Sequence, residues 1–437
     1  MQAQLLLLVG TNPLPAYVVA CYFLQHEEVN KVWLLYSEAG PQQVSTRQQA
    51  LQISSCLKER FKGQVLLHPI RDIRTAPSIQ EDIRLLIPSL GMQPVYFNYS
   101  GGTKPMALHV YRMLEQFLSN RVSFSYLDGR RFQLIHDVSG LPMHDRPLRE
   151  LVQLSFKELI ALHQFELYTP YQRFMDPIFH APLKQLTVLV NGGHLPAFWG
   201  TQKEYTGWSQ IRNPMMQLAA SVNDITRVKY QKILRRNVRK YGDELRAALA
   251  KWQPDLPFQA VVGSFPKAFF DPAFEFESWS VEQQVQFYQL IRFLDGQWLE
   301  MYTQKTLIET FLELGLKAES CIGLELRKPH WETYFEIDIA ALIGYQLLGI
   351  SCTTYNVKSA CKNKGFEIIH RVRQIGGDEI REALKMMLIT CVNALNCQRL
   401  EQELSMATGT GRSSMLVCGI DDLPQERLKA KMKDFLS

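Results

Sequence analysis

The chain has 437 residues, which at roughly 150 residues per domain gives two to three domains. Hydrophobic residues make up 46% and charged residues 21%, a balance that excludes a disordered chain, a collagen-like repeat and a disulfide-stapled mini-scaffold. The 48 Lys and Arg exceed the 43 Asp and Glu by only +5, so a histone-like polycation is excluded and any contact with nucleic acid has to be local.

The first apolar run, Leu5–Val9, has no basic segment before it, and Gly10-Thr11-Asn12-Pro13 interrupts it after one strand's length. That is too short for a signal peptide. No run of 18 apolar residues occurs elsewhere, so no transmembrane helix and no membrane partner are expected, and the expectation is a soluble, cytoplasmic protein. Further strands are predicted at Lys31–Tyr36, Gln64–His68, Pro94–Phe97 and Val122–Tyr126, with helices at Pro13–Leu24, Ser45–Phe61, Ser78–Leu90 and Thr103–Leu118. Such alternation predicts a parallel sheet with helices on both faces. Leu127-Asp128-Gly129-Arg130 reads as a hairpin turn into Arg131–His136.

Two loops sit directly after predicted strands: Gly10-Thr11-Asn12-Pro13-Leu14-Pro15 and Asn98-Tyr99-Ser100-Gly101-Gly102-Thr103-Lys104-Pro105-Met106. Open α/β sheets bind ligands outside the carboxyl ends of their strands. Adjacent glycines let the backbone approach a ligand, and the following helix N-terminus offers N–H groups to an anion. Thr103 and Lys104 add a hydroxyl and a positive charge. A tight turn alone would also account for Gly-Gly, and helix capping for Thr11-Asn12. Neither GxxxxGK[ST] nor GxGxxG is present, which disfavours a Walker loop and a dinucleotide cofactor.

Residues 146–165 read as an amphipathic helical stretch, and residues to about Phe287 have mixed character. Within them Arg227–Lys240 carries Arg227, Lys229, Lys232, Arg235, Arg236, Arg239 and Lys240 with no acid. The stretch suits a phosphate backbone, and equally a solvated helix face. From Gly296 a helix is predicted to about Leu314, then a strand at Phe335–Leu342, a turn at Gly344-Tyr345-Gln346, a strand at Leu347–Cys352, a helix at Lys362–Gln374 ended by Gly376-Gly377, and a helix capped by Asp378 reaching about Thr390. A helix Glu, Glu300, and a strand Asp, Asp338, followed by a hairpin strand make a metal constellation, because Mg²⁺ takes hard carboxylate oxygens. Asp338 is expected to point opposite to Ile337 and Ile339. The eight cysteines form no CxxC pair, so free thiols are expected rather than a zinc site.

The two loops resemble those of the CARF family, CRISPR-associated Rossmann-fold sensors. The resemblance implies a Rossmann-like domain binding a cyclic oligoadenylate, most plausibly cyclic tetraadenylate, across a homodimer interface. Gly10, Thr11, Asn12, Leu14, Ser100, Gly101, Gly102, Thr103 and Lys104 fall on the matching positions, with Ser37 and Glu38 nearby. Gly296-Gln297-Trp298-Leu299-Glu300 and Glu336-Ile337-Asp338 resemble the PD-(D/E)xK nuclease fold, and the two together resemble the CARF–nuclease effectors of type III CRISPR systems. The resemblance implies three parts: a sensor at 1–145, a connector at 146–290 and a restriction-endonuclease-like α/β domain at 291–437. It also implies Mg²⁺ or Mn²⁺ and cleavage of single-stranded RNA or DNA.

Where that fold carries Glu-x-Lys, this chain reads Ser351-Cys352-Thr353. Either the domain is a degenerate nuclease kept for binding, or the next helix supplies the missing groups. In the second case Glu367 joins Glu300 and Asp338 as a metal ligand, and Lys364 or Lys362 stabilises the transition state. An ordinary charged helix face accounts for those three residues as well. The alternatives to a nuclease are a non-catalytic cyclic-oligoadenylate sensor and a CARF transcriptional regulator using the basic middle stretch.

Overall fold

The structure is a computed structural model that describes residues 2–27, 29–40, 42–171, 176–199, 206–219, 230–376, 384–409, 411 and 413–437. The first sheet contains β1 (Ala3–Leu8), β2 (Val29–Ser37), β3 (Gln64–Ile70), β4 (Val95–Asn98), β5 (Val122–Asp128) and β6 (Gln133–His136). Their order is β3-β2-β1-β4-β5-β6, parallel except for the hairpin partner β6. Helices α1 (Leu14–His26), α2 (Arg47–Arg60), α3 (Ala76–Leu90) and α4 (Lys104–Leu118) follow the first four strands. Leu5 and Leu7 face the core shared with α1 and α2, whereas Leu6 and Leu8 face the core under α3 and α4. A strand covered on both faces is apolar along most of its length, which is why β1 carries the run Leu5–Leu8; the buried Gln4 before it donates to Leu90 O at 2.8 Å.

The second sheet has the order β12-β11-β10-β9-β8-β7. Its strands are β7 (Glu166–Leu167), β8 (Ala318–Arg327), β9 (Phe335–Ile343), β10 (Gln346–Cys352), β11 (Lys385–Ile389) and β12 (Met415–Cys418). The pairs β10/β11 and β11/β12 are parallel, and the other pairs are antiparallel. The expected helix to Thr390 is therefore corrected: Lys385–Ile389 is a strand, with Met386 and Leu388 in one core and Met387 and Ile389 in the other. Asp378 lies outside the described residues.

The expected single helix at 146–165 is two short helices, α5 (Leu148–Leu151) and α6 (Phe156–Leu162). Ser155 restarts the second through a capping box with Glu158, the Ser-x-x-Glu pattern that marks a helix start. The chain between them docks on the second sheet, where Leu154 N–H donates to Gly344 O at 2.9 Å. On the other side, Arg60 and the Tyr17 hydroxyl donate to Glu158 at 2.8 and 2.7 Å. Residues 148–165 thus fuse the inner faces of both sheets into one hydrophobic core.

The helices from the middle of the chain are α7 (His180–Asn191), α8 (Leu195–Trp199), α9 (Ser209–Ala219), α10 (Tyr230–Lys251), α11 (Leu256–Val262) and α12 (Val281–Arg292). They share a core with the outer face of the second sheet, with α13 (Trp298–Glu313) and with α16 (Gln425–Leu436). The inner face carries α14 (Lys358–Gly376) and α15 (Ala394–Thr408). Of the basic stretch, Arg227 and Lys229, and the side chains of Lys232, Arg235, Arg236 and Arg239, lie outside the described residues; the rest of α10 continues the helix.

Candidate ligand loops and carboxylate site

In the first sheet β1 lies between β2 and β4, so the chain direction of the connections reverses between β1 and β4. Both candidate loops emerge at that switch point, where open α/β sheets form their ligand crevice. They are pressed together: a Cβ on Gly101 would sit 2.2 Å from Leu8 O and 3.1 Å from Gly10 N. Only glycine fits there. Gly102 adds a left-handed backbone at φ +75°. Thr103 caps α4 by accepting from Met106 N–H at 3.4 Å, and both Thr103 and Lys104 are exposed at the helix N-terminus. Ser100 Oγ accepts from Leu127 N–H at 2.6 Å, which ties the loop to the β5–β6 hairpin.

Gly10, Asn12 and Leu14 are buried, and Thr11 is exposed. Asn12 works in two directions: its Oδ1 accepts from Leu14 N–H at 3.0 Å, and its Nδ2 donates to Gly376 O at 3.3 Å. The second bond joins the ligand loop to the last residue of α14. Ser37 is buried beneath the loop that follows β2, donating to Val44 O at 2.7 Å and meeting Thr46 Oγ1 at 3.2 Å. Glu38 accepts from Tyr36 OH at 3.0 Å, and its carbonyl accepts from Gln43 at 2.6 Å. These two residues shape that loop.

The carboxylates gather where α13 crosses β9. Asp338 Oδ2 accepts from Ser351 Oγ at 3.0 Å and from Cys352 N–H at 2.7 Å, so the residues in the Glu-x-Lys slot hold Asp338 in place. The expected alternation about Asp338 does not hold. Ile337 belongs to the inner core and Ile339 to the outer one. The partner strand does the same, with Ile322 in the outer core and Leu324 in the inner one, across Gly323 at φ +64°. A local twist at Gly323 lets both strands exchange faces, and Glu336 Oε1 lies 3.6 Å from the position of a Cβ there.

Burial, then the Asp338 and Glu336 carboxylates, push the Glu300 carboxyl well above the usual range, against the pull of Arg292 and Lys364. Glu336 is raised in the same way, by burial and then by Asp338. The Cys352 thiol is pushed up by burial and by Asp338 and Glu300. Glu300, Glu336 and Asp338 therefore form one interacting cluster, and Lys364 acts on it.

Of the other two helix residues, Glu367 borders the cluster through its partners and Lys362 is engaged elsewhere. Glu367 is paired with Arg371 and with Lys364, the latter at 3.3 Å, and Arg371 also donates to Glu336 O. Lys362 turns to α15 and pairs with Glu403 at 2.9 Å, beside Lys358. Among the described residues no group of three His, Cys, Asp or Glu side chains lies close enough to hold a metal ion. The donors present are hard oxygens, and because burial is the first cause of the raised Glu300 and Glu336, a divalent cation bound beside Asp338 would have to displace the protons these carboxyls favour. Ser351 and Arg292 are the participants that the sequence did not place in this cluster, whereas Arg371 reads there as a basic residue suited to a substrate phosphate or to a water-facing position. Position 351 was legible as the altered slot, and Arg292 depends on contacts across the fold. The described cysteines are all free thiols, as expected. No described helix is long and apolar enough to cross a membrane.

No family model matches the sequence, and no curated protein matches it. Solved structures match over nearly the whole chain, two of them as follows. Can2 from Sulfobacillus thermosulfidooxidans, solved in complex with cyclic tetra-adenylate, aligns with a TM-score of 0.62 at 14% identity over 98% of this chain and 96% of its own. Protein VC1899 from Vibrio cholerae aligns with a TM-score of 0.64 at 15% identity over 99% of this chain and 98% of its own. These likenesses show a shared fold, which among the described residues of this chain is a mixed α/β one with two six-stranded sheets.

Proposed function

We propose that this chain is a cyclic oligoadenylate-activated, metal-dependent nuclease of type III CRISPR defence, working as a homodimer on single-stranded RNA or DNA. The observation that carries the reading is the bond from Asn12 to Gly376. It connects the loop pair built for an anionic ligand to the helix that supplies Lys364, Glu367 and Arg371. Can2, which shares the fold, was solved with cyclic tetra-adenylate; fold alone does not assign function, so the loop chemistry has to support the step. Gly10, Thr11, Asn12, Leu14, Ser100, Gly101, Gly102, Thr103 and Lys104 supply close backbone approach, a helix N-terminus and one cation. Ser37 and Glu38 hold the neighbouring loop. A two-fold symmetric ring matches a two-fold dimer, which favours cyclic tetraadenylate.

In this reading residues 1–145 sense, residues 291–437 cut and residues 146–290 connect and buttress them. Glu300 and Asp338 would hold Mg²⁺ or Mn²⁺, which would supply an activated water and neutralise charge on the phosphate. Lys364 sits close enough to the cluster to act on the same charge, and Glu367 fixes Lys364 and Arg371. Lys362 contributes by anchoring α14 to α15. Cleavage of a labelled single strand that requires both cyclic tetraadenylate and divalent metal, and is lost in Asp338→Asn, is the expected result. A parent that binds the ring but cuts nothing under any metal favours the second reading, a non-catalytic sensor. The observation behind that reading is Ser351 in the place of the second carboxylate, hydrogen-bonded to Asp338.

A further inference from the structure

Beside the carboxylate cluster lies a groove of about 580 Å³ between the β8–β9 loop and α14. Its walls are aromatic and cationic. Trp331 is 63% exposed and Tyr334 49% exposed, unusual for large rings on a water-facing surface. Tyr334 is held face to face with Tyr168, with ring centroids 4.2 Å apart and planes 7° from parallel. The Arg327 guanidinium lies 5.7 Å from the Tyr168 ring, and Lys328 Nζ lies 3.8 Å from the Phe165 ring while donating to His163 O at 2.8 Å. Among the described residues the one acid lining the groove is Glu367, and Arg371 pairs with it. Arg371 also bonds the backbone of Glu336, so this lining residue stands next to the carboxylate cluster.

We propose that this groove is a stacking platform that receives a single strand of nucleic acid and leads it to the Glu300–Asp338 cluster. Trp331 and Tyr334 stack bases, Arg327 and Lys328 draw in the backbone phosphates, and Arg371 orients the strand at its inner end. The chemistry selects a single strand, because a duplex buries its base faces, whereas exposed rings bracketed by cations match unpaired bases and phosphates. The inference rests on the nuclease reading for its destination, but the platform itself can be tested without cleavage.

The test uses the full chain carrying Asp338→Asn, without divalent metal, and measures fluorescence anisotropy of labelled oligothymidine and oligouridine. In that background Trp331→Ala and Tyr334→Ala each weaken binding by about tenfold, Trp331→Phe restores most of it, and Arg327→Ala with Lys328→Ala flattens the salt dependence. The two oligonucleotides decide between DNA and RNA as the occupant. Unchanged affinity in both aromatic variants, or equal binding of a duplex, overturns the platform. A parent that cuts but binds independently of Trp331 defeats the platform alone. A parent that never cuts but binds through Trp331 defeats the nuclease reading and leaves the platform standing.

Discussion

Replacing Gly101 by alanine puts the packing of the two ligand loops to a direct test. The added Cβ would stand 2.2 Å from Leu8 O, where real contacts essentially never fall under 3.0 Å, and 3.1 Å from Gly10 N. Both neighbours are backbone, so no side chain can swing away, and the β1 and β4 ends have to part by about 0.8 Å. Overpacking of this kind costs ~1–3 kcal/mol. The backbone clash places Gly101→Ala at the upper end, about 3 kcal/mol, which lowers the melting temperature by roughly 6–12 °C for a unit of 150–250 residues. The crevice widens with it, so affinity for cyclic tetraadenylate falls. Gly91→Ala is the control: at φ +57° and ψ −142° with nothing within 4 Å it meets no clash and costs only the positive-φ backbone, ~1–3 kcal/mol, far from the loops. Thermal melts with and without ligand, and calorimetric titration, read both effects. If Gly101→Ala melts and binds like the parent, the packed-loop argument is wrong.

Asn12→Ala leaves the buried Gly376 carbonyl without this donor and removes the turn bond to Leu14; a loss of about 1–3 kcal/mol is expected in denaturant unfolding, together with weaker stimulation of cleavage by ligand. Glu300→Gln removes a carboxylate whose folded value is raised, so the parent is destabilised as pH climbs past the ordinary carboxylate range. The variant therefore melts higher than the parent at neutral pH, matches it in acid, and loses the extra melting temperature that Mn²⁺ gives the parent. His163, pushed down to about 3 by burial and then by Lys328, stays neutral in the fold while the unfolded chain protonates near 6.5. Stability is accordingly lost as pH falls through that window, at most about 1.4 kcal/mol per pH unit, and His163→Phe flattens the slope in melts between pH 7 and 5.

The first sheet was legible because each of its signals is local. An apolar run, a glycine-bearing loop and an amphipathic helix follow one another within a few residues, and the structure keeps that order from β1 to β6. The strand β8 was not legible, because Gly323 makes it change faces: Cys321 and Leu324 both join the inner core while Ile322 joins the outer one, so no single period runs through it. The strand β11 is covered on both faces, and a short apolar run of that kind does not distinguish a strand from a buried helix. In the carboxylate cluster, Glu300 and Asp338 stand out in the sequence by residue type and order. The engagement of Lys362 with Glu403 and of Asn12 with Gly376 joins distant parts of the chain, which no spacing rule reaches.

The central claim is that ligand at the β1/β4 loops controls chemistry at the Glu300–Asp338 cluster. Single-turnover cleavage of a labelled single strand, followed with Mn²⁺ in the presence and absence of cyclic tetraadenylate for the parent and Asp338→Asn, measures it. The account predicts cutting only for the parent with both ligand and metal. Equal cutting without the ring, or undiminished cutting by Asp338→Asn, would contradict it.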